Sequence, residues 1–412
     1  MIKLFQLFFI ALNTVCVLAQ TTVITGGTIH IGNGTVINNG ALVIELGKIL
    51  RVENKLGIVP KNATFIDATG KHLYPGLILL NTTLGLNEID AVRATRDFNE
   101  TGEINPNVRA IVAYNTDSKV TPTALYNGVT HMQVVPAGGL ISGKSCVVKT
   151  QAFNWEDAAV LQEDGVHINW PEINIYAKNK AEQIEKKQDE INLINQTFFE
   201  AKAYLESADY INLKYKSLQP VLLGKQQVYI HATTSQSIKE AIDFFVLHQI
   251  RQPVLVSNHL SVSYIPALVA NRISVILNLV HSLPQFGHSD VDAPYKAVAT
   301  LLNNGVNVAV GMSGSWESRN VMFTAGTCAT YGITKEQALQ TITLNAAKVL
   351  GFDSQMGTLE VGKNAHILIA NGDILDMKSN QLDKIFIDGL EVDLTNHQTE
   401  LYNKYQKHYW PK

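Results

Sequence analysis

The segment Tyr74–Leu86 constrains the fold of this chain more than any other part of the sequence. It contains an apolar run, Leu77–Leu80, which is followed by Asn81, Thr82 and Thr83. A short apolar run is typical of a strand buried on both faces of a parallel sheet. In a β/α barrel, the polar residues at the carboxyl end of such a strand carry the chemistry. We therefore expect this segment to be a barrel strand that ends at a functional pocket.

Composition places few limits on function. The chain has 412 residues, which is enough for one large domain and a smaller one, and 46% of them are hydrophobic and 17% charged. These fractions are ordinary for a soluble globular protein. The formal net charge of -3 gives no reason to expect nucleic acid or an anionic membrane as a partner.

The first residues predict export from the cytoplasm. Lys3 is followed by an apolar run, Leu4–Leu12, and a cleavage site is expected after Ala19. We interpret residues 1–19 as a secretory signal peptide, so the protein should be secreted or periplasmic. The apolar run is shorter than the roughly 20 residues of a membrane span, so no transmembrane segment is expected in the mature chain. The two remaining cysteines, Cys146 and Cys328, are expected to be buried free thiols.

Both ends of the chain consist of short β-strand patterns separated by turn signals. They occur over Thr22–Asp67 and again in Gly357–Leu359, Ala365–Ala370 and Lys384–Gly389. A small β unit cannot bury both of its faces alone. We therefore predict one composite β-sandwich domain, formed by residues 20–72 together with residues 353–412, the C-terminal tail included.

The central residues, 73–352, have the length and the pattern of a barrel domain. The expected fold is α/β, with a TIM-like (β/α)8 barrel inserted into the composite domain. Its candidate strands are apolar, rich in β-branched residues and bounded by loops. They include Val129–Val135, Val228–His231, Pro253–Val256, Ile273–Leu277 and Val306–Val310. Residues 177–208 predict a charge-rich amphipathic helix, and Thr334 predicts a helix cap.

Four segments carry a resemblance to a known family. Pro75–Leu86 resembles the first barrel strand of the amidohydrolase superfamily, where Asn81 and Thr83 occupy the places of two metal-binding histidines. Three further segments resemble the entry into that strand, the last barrel helix and the return to the β domain. They are Ala68–Gly76, Thr334–Gly351 and Gly357–His366. The chain is most similar to the secreted imidazolonepropionase-like branch.

The resemblance implies hydrolysis of non-peptide C–N bonds, such as those of cyclic amides or imidazolones, by one or two divalent metal ions. The family's remaining ligands are a lysine or glutamate on a middle strand, a histidine after each of strands five and six, and a strand-eight aspartate that is also the general base. His231 matches the strand-five ligand and His259 the strand-six ligand. Ser313 stands where the aspartate is expected, and Lys149 is a candidate for the middle-strand lysine.

These substitutions predict a dismantled metal site. A catalytic zinc site has three protein ligands, and this ligand set offers at most His231 and His259. Asn81 and Thr83 would be weak neutral ligands, and the Ser313 hydroxyl cannot act as a general base near neutral pH. We therefore expect no metal ligands beyond His231 and His259, and we expect one pocket to contain all five of these residues.

Several functions follow from this interpretation. The protein could bind a small molecule, or could be the partner of an active homologous subunit or of a second copy of itself. The alternative is an active C–N hydrolase with one weakly held zinc ion on His231 and His259. A third interpretation is purely structural. His231 and His259 could also be ordinary hydrogen-bonded histidines, and a loop pair, His281 and His288, could rebuild a site.

Gly138–Ser145 matches the phosphate-loop pattern G-x-x-x-x-G-K-[ST]. Such a loop binds phosphate only where it opens a helix. Here the next residues, Cys146–Thr150, predict a strand, so nucleotide hydrolysis is not expected.

Overall fold

A computed structural model describes residues 21–174, 178–207, 210–278, 280–284 and 289–410. The predicted signal peptide at residues 1–19 lies outside these ranges, as does His288. No helix within the described ranges is long and apolar enough to cross a membrane.

The described residues form strands and helices that alternate in the central part of the chain. The strands are β1 Thr22–His30, β2 Val36–Glu45, β3 Lys48–Glu53, β4 Thr64–Asp67, β5 His72–Pro75, β6 Leu77–Thr82, β7 Val129–Val134, β8 Ile141–Lys144, β9 Cys146–Lys149, β10 Ala159–Leu161, β11 Gly165–Asn169, β12 Gln227–His231, β13 Pro253–Ser257, β14 Ser274–Leu277, β15 Val308–Val310, β16 Ile367–Ala370, β17 Leu382–Ile387 and β18 Leu390–Glu391. The helices are α1 Thr121–Tyr126, α2 Trp155–Ala158, α3 Lys180–Ser207, α4 Leu213–Leu222, α5 Ser235–Leu247, α6 Ile265–Ala270, α7 Ala293–Asn303, α8 Val321–Ala329, α9 Lys335–Thr341, α10 Leu344–Leu350 and α11 His397–Tyr409.

One eight-stranded sheet contains strands from both ends of the chain. Its order is β18-β17-β16-β5-β1-β2-β3, and β4 also pairs with β1. The two ends meet where β5 pairs antiparallel with β16, from His72 with Ala370 to Pro75 with Ile367. The predicted strand at Gly357–Leu359 is wrong, because Gly357 and Thr358 form a bend, with a φ of 89° at Gly357, and Leu359 has no regular secondary structure. The domain boundaries themselves stay a prediction.

The central residues form two further sheets. Their orders are β10-β9-β7-β6 and β15-β14-β13-β12-β11-β8. β6 and β7 are parallel, and so are β11 to β15, whereas β8 and β9 run antiparallel to their neighbours. The sheets approach each other at an isolated bridge between Leu80 and Gly311. The mixed α/β fold is confirmed, but no closed barrel is detected in the described residues.

Successive side chains along a parallel strand pack into two different hydrophobic cores. Val228 and Ile230 of β12 belong to the large cluster that includes the helices, whereas Tyr229 belongs to a cluster with Leu80 and Val256. Because successive side chains point to opposite faces of a strand, His231 shares the face of Tyr229. The side chain of His231 at the end of β12 therefore lies on the face of the sheet that carries Tyr229 and not on the face of Val228 and Ile230.

Helix α3 is the predicted charge-rich helix and is fixed by one apolar face. Ile194, Phe198 and Ala201 recur at helical spacing and are fully buried. The Phe198 ring meets the Phe244 ring of α5 edge to face, with 5.0 Å between centroids and an interplanar angle of 85°. The predicted cap Thr334 is confirmed, since its side chain accepts a hydrogen bond from the backbone N–H of Gln337.

The second half of the phosphate-loop pattern contains β8, and the pattern is followed by strand β9, as the sequence predicts. Lys144 is buried, and its Nζ lies 2.6 Å from Oε2 of Glu163. Because this lysine is already paired and no helix follows it, the segment lacks the features that bind phosphate. Cys146 and Cys328 are buried free thiols, as predicted.

Candidate functional site

Asn81 lies in a β-bulge at the end of β6. Between the pairs Leu79–Met132 and Thr82–Val134, β6 has one more residue than β7. Asn81 adopts a φ of 61°, in the left-handed region that asparagine tolerates better than most residues. Its side chain is buried, and its backbone N–H donates to Oε1 of Gln133 at 3.1 Å. Gln133 therefore holds the first predicted pocket residue in place.

A fully buried carboxylate, Asp164, holds Gln133 in turn. Oδ2 of Asp164 accepts hydrogen bonds from Gln133 Nε2 at 2.6 Å, Tyr229 Oη at 2.8 Å and Ser145 Oγ at 2.9 Å. Its Oδ1 atom has no partner in the described part of the chain. Burial raises the pKa of Asp164 to about 6, although the three donors act in the opposite direction. One carboxylate thus joins strands β7, β12 and the turn between β8 and β9.

Two histidines meet beside this carboxylate. His167 Nδ1 lies 2.9 Å from His231 Nε2, and the His167 ring stacks on Tyr229 with 4.4 Å between centroids. Burial lowers the pKa of His231 to about 4 and that of His167 well below its ordinary value. Both rings are therefore neutral at pH 7, and one donates an N–H to the other. Nε2 of His231, a nitrogen able to bind metal, is already committed to this hydrogen bond.

The other predicted pocket residues lie in different surroundings. His259 follows β13 and lines a cavity of about 330 Å³. Thr83 is partly exposed and Ser313 is exposed. Within the described residues, none of the five predicted pocket residues is hydrogen-bonded to another, although the contacts of Gln133, Asp164, Tyr229 and His167 connect Asn81 with His231.

The end of β15 stays close to β6 because Gly311 has no side chain. Met312 N–H donates to the Leu80 carbonyl at 3.1 Å. A Cβ atom on Gly311 would lie 2.6 Å from Ile276 Cγ2 and 2.8 Å from Asn278 Oδ1. Oδ1 of Asn278 is buried and has no partner in the described part of the protein. This contact brings the end of β15 against the strand that carries Asn81.

Lys149 lies at the other end of its sheet. Because β9 is antiparallel to β7, Lys149 pairs with His131 near the start of β7, not with the end that leads to the pocket. Its Nζ lies 3.3 Å from Asp157 Oδ1 and 3.8 Å from Asp388 Oδ2. His281 is hydrogen-bonded to Thr327 at 2.7 Å and lines another cavity, while His288 is outside the described residues.

The residues at the strand ends do not fit the metal centre of the resembled family. No group of three or more His, Cys, Asp or Glu side chains in the described ranges is arranged to hold a metal ion. A catalytic zinc site needs three such ligands, and amide or hydroxyl oxygens hold borderline metal ions weakly. The donor chemistry, with His231 bonded to His167, is that of a hydrogen-bonded core.

Four residues of this network were not anticipated from the sequence: Gln133, Asp164, His167 and Tyr229. They come from three segments of the chain, and each stands within or beside an apolar run, so no single motif connects them. The available signal was the pair of polar residues Asp164 and His167 around Gly165-Val166, at the start of a short β-branched run.

Comparison with known proteins gives the family. A family model described as the amidohydrolase family matches residues 156–392, which is more than half of the chain. The crystal structure of an amidohydrolase from Thermotoga maritima MSB8 superposes with a TM-score of 0.77 and 23% identity, over 90% of this chain and 99% of that one. A zinc-bound adenosine deaminase from Xanthomonas campestris gives a TM-score of 0.55 and 13% identity, over 94% and 97% of the two chains.

Curated relatives are more distant or match over a shorter range. Amidohydrolase tasK of Hapsidospora irregularis is 18% identical over 390 residues, which cover 85% of this chain and 39% of that protein. A 5-methylthioadenosine/S-adenosylhomocysteine deaminase of Thermoanaerobacter pseudethanolicus is 29% identical over 164 residues, covering 35% of this chain and 38% of the relative. The matches thus span about two fifths of these relatives' length. The structural likeness at these identities shows a shared fold, and the match of the family model shows that the chain belongs to the amidohydrolase family.

Proposed function

We propose that this chain is an amidohydrolase-family protein that has left the family's metal chemistry and works by binding. The observation that carries the proposal is the state of the ligand positions. Asn81, Thr83 and Ser313 replace the family's two histidines and its aspartate, and the remaining strand-end histidine His231 is hydrogen-bonded to His167. With this donor set the strand ends can position a ligand, but they offer no general base at Ser313.

The volume and the uncharged lining of the cavity beside His259 favour a small uncharged ligand. Its walls come from the segments after β12 and β13 and from helix α7, and its volume of about 330 Å³ suits a small molecule. Burial lowers the pKa of His259, so the ring is neutral at pH 7. None of the described lining residues then carries a charge. We propose a polar, uncharged compound as the ligand, with an active homologous subunit or a second copy of this chain as the alternative partner.

For the fold, we further propose that the two central sheets work together as the barrel of the family, inserted between the two halves of the chain-end sheet. The parallel strands β6 and β7, the parallel run from β11 to β15 and the Leu80–Gly311 bridge support this arrangement. The continuous segment from β8 to β9 would then be an antiparallel member of the ring. Export by the N-terminal segment is also part of the proposal.

Metal content tests the loss of the metal centre. After incubation with zinc, manganese and iron and removal of free ion, we expect plasma mass spectrometry to find far less than one ion per chain. The combined variant Asn81→His, Thr83→His and Ser313→Asp should raise the content toward about one ion per chain, because it restores three ligands of the types that zinc prefers.

Two exposed asparagines, Asn33 and Asn62, provide the matched control for this experiment. Changing both to histidine adds the same imidazoles away from the strand ends and should leave the metal content low. Near-stoichiometric metal in the unchanged protein would contradict the proposal, and so would a combined variant that binds no more metal than the control.

The shared family also supports a second candidate, hydrolysis of a C–N bond by one zinc ion on His231 and His259. If a screen of cyclic amides and imidazolones finds turnover, His231→Ala should lower kcat/KM by about a hundredfold or more, because a ligand is lost. The control is His248→Ala, since His248 is a half-buried histidine directly after α5 whose ring is hydrogen-bonded to Asn195. Equal turnover in both variants would exclude this candidate.

A further inference from the structure

A second cavity, of about 340 Å³, lies outside the strand-end region. Helix α1, the segment around Arg319 and the start of α11 form its walls. Its lining residues are Thr123, Tyr126, Asn127, Arg319, Asn396, Gln398, Thr399 and Tyr402. None of these residues belongs to the network around Asp164 or to the cavity beside His259, so the inference does not depend on the proposed function.

Arg319 is the single charged residue among the described residues that line this cavity. Its guanidinium lies 5.6 Å from the centroid of the Trp316 ring, and in the described part of the chain it forms no ion pair with a carboxylate. Arginine stays protonated at all ordinary pH values, and its planar fork matches a carboxylate with two parallel hydrogen bonds. A cavity with one such cation and no lining anion selects an anionic ligand.

The remaining walls suit a flat, weakly polar group. Tyr126 and Tyr402 present partly exposed phenol rings from α1 and α11, with 44% and 63% of their surface accessible. Helix α11 buries none of its residues, so Tyr402 is not used in a core. Phenol rings stack on aromatic groups at a gain beyond simple burial of area. The side-chain amides of Asn127 and Gln398 add hydrogen-bonding groups at the wall.

We propose that this cavity binds a small aromatic carboxylate. The carboxylate pairs with the guanidinium of Arg319, and the ring lies against Tyr126 and Tyr402. The site is separate from the strand ends of the two central sheets and from the cavity beside His259.

Titration calorimetry with benzoate on the purified chain tests this proposal. We expect saturable binding in the millimolar range or tighter, with weaker binding of acetate, which has no ring, and of benzamide, which has no charge. Arg319→Gln should weaken benzoate binding by about tenfold to a hundredfold, because a charge-assisted bidentate pair is lost. Arg319→Lys should be intermediate, since an ammonium group cannot form the planar pair.

Arg93→Gln is the matched control, because it removes the same charge from another exposed arginine and should leave benzoate binding unchanged. Thermal unfolding of each variant confirms that it is folded. The proposal is overturned if benzoate shows no saturable binding, or if Arg319→Gln binds it as tightly as the unchanged protein. It is also overturned if benzamide or acetate binds as tightly as benzoate.

Discussion

Replacing Asp164 with asparagine is expected to make the stability difference from the unchanged chain depend on pH. The free energy of unfolding of the variant, relative to that of the unchanged chain, should rise by about 2 to 3 kcal/mol between about pH 4 and pH 7. The folded-state pKa of Asp164 is about 6, above the ordinary value of 3.8, because the carboxyl is buried. Its contribution to stability is therefore complete below the ordinary pKa and is lost as the pH rises through about 6. Asparagine keeps an acceptor for the three donors and does not titrate. Urea unfolding of both proteins at several pH values measures the difference.

The exposed carboxylate Asp157 gives a control with the opposite sign. Hydrogen bonds from the backbone N–H of Phe153 and from the side chain of Lys149 lower the pKa of Asp157. Its contribution to folding stability is therefore present above the ordinary pKa and is lost as the pH falls. Asp157→Asn should therefore lose stability relative to the unchanged chain as the pH rises. A pH-independent difference for Asp164→Asn would show that the carboxyl has an ordinary pKa and is not isolated from water.

Replacing Phe198 with alanine is expected to lower the free energy of unfolding by about 3 to 5 kcal/mol. Phe198 is fully buried, and its ring meets Phe244 edge to face between α3 and α5. Truncation removes this contact and leaves a cavity that the two helices can fill only partly. The midpoint of urea unfolding should fall accordingly, at an unchanged slope.

The neighbouring residue Phe199 is the matched control, because the same truncation there removes a ring that is 51% exposed. Phe199→Ala should cost no more than about 1 kcal/mol, since its only described ring contact is with His248. Equal losses in the two variants would mean that α3 is not fixed through the buried face that contains Phe198.

Strands with an unbroken apolar pattern were predictable within one or two residues. The segment Val228–His231 was expected as a strand, and β12 covers Gln227–His231. Pairing between the two chain ends was also expected from the short strand patterns on both sides. Gly357–Leu359 was misassigned because its composition is β-like, whereas its backbone turns at Gly357 with a positive φ. A residue pattern reports side-chain preference and does not report such a turn.

The network around Asp164 could not be predicted in the same way. Gln133, Ser145, Asp164 and Tyr229 come from four segments, and a hydrogen-bonded cluster of this kind leaves no periodic pattern in the sequence. Strand β11 was missed because the polar residues His167 and Asn169 interrupt its apolar residues, whereas β12 contains the unbroken run Val228–Ile230. The pairing of β11 with β8 and β12 brings Asp164 to Ser145 and Tyr229, whereas Gln133 reaches Asp164 from β7 of the other central sheet.

The resemblance to the family predicts which residues stand at the places of the metal ligands, but it does not predict the surroundings of these residues. Ser313 is exposed because the chain leaves β15 at Gly311, binds Leu80 through Met312 and then enters the short 3-10 helix Glu317–Asn320. His259 lies in a loop after β13, where Ser257 Oγ donates to its carbonyl. Backbone paths of this kind are decided by packing between strands and not by the residue at the aligned position.

The pairing of β5 with β16 also has a consequence for the synthesis of the protein. About 300 residues separate these two strands, and at about 5 to 20 residues per second a ribosome needs roughly 15 to 60 seconds to make them. During this time β5 has no partner on one side, and its free edge can pair with a neighbouring nascent chain. The sheet that contains both chain ends cannot be completed before residues 367–391 have been synthesised, so the edge of β5 stays unpaired through most of translation.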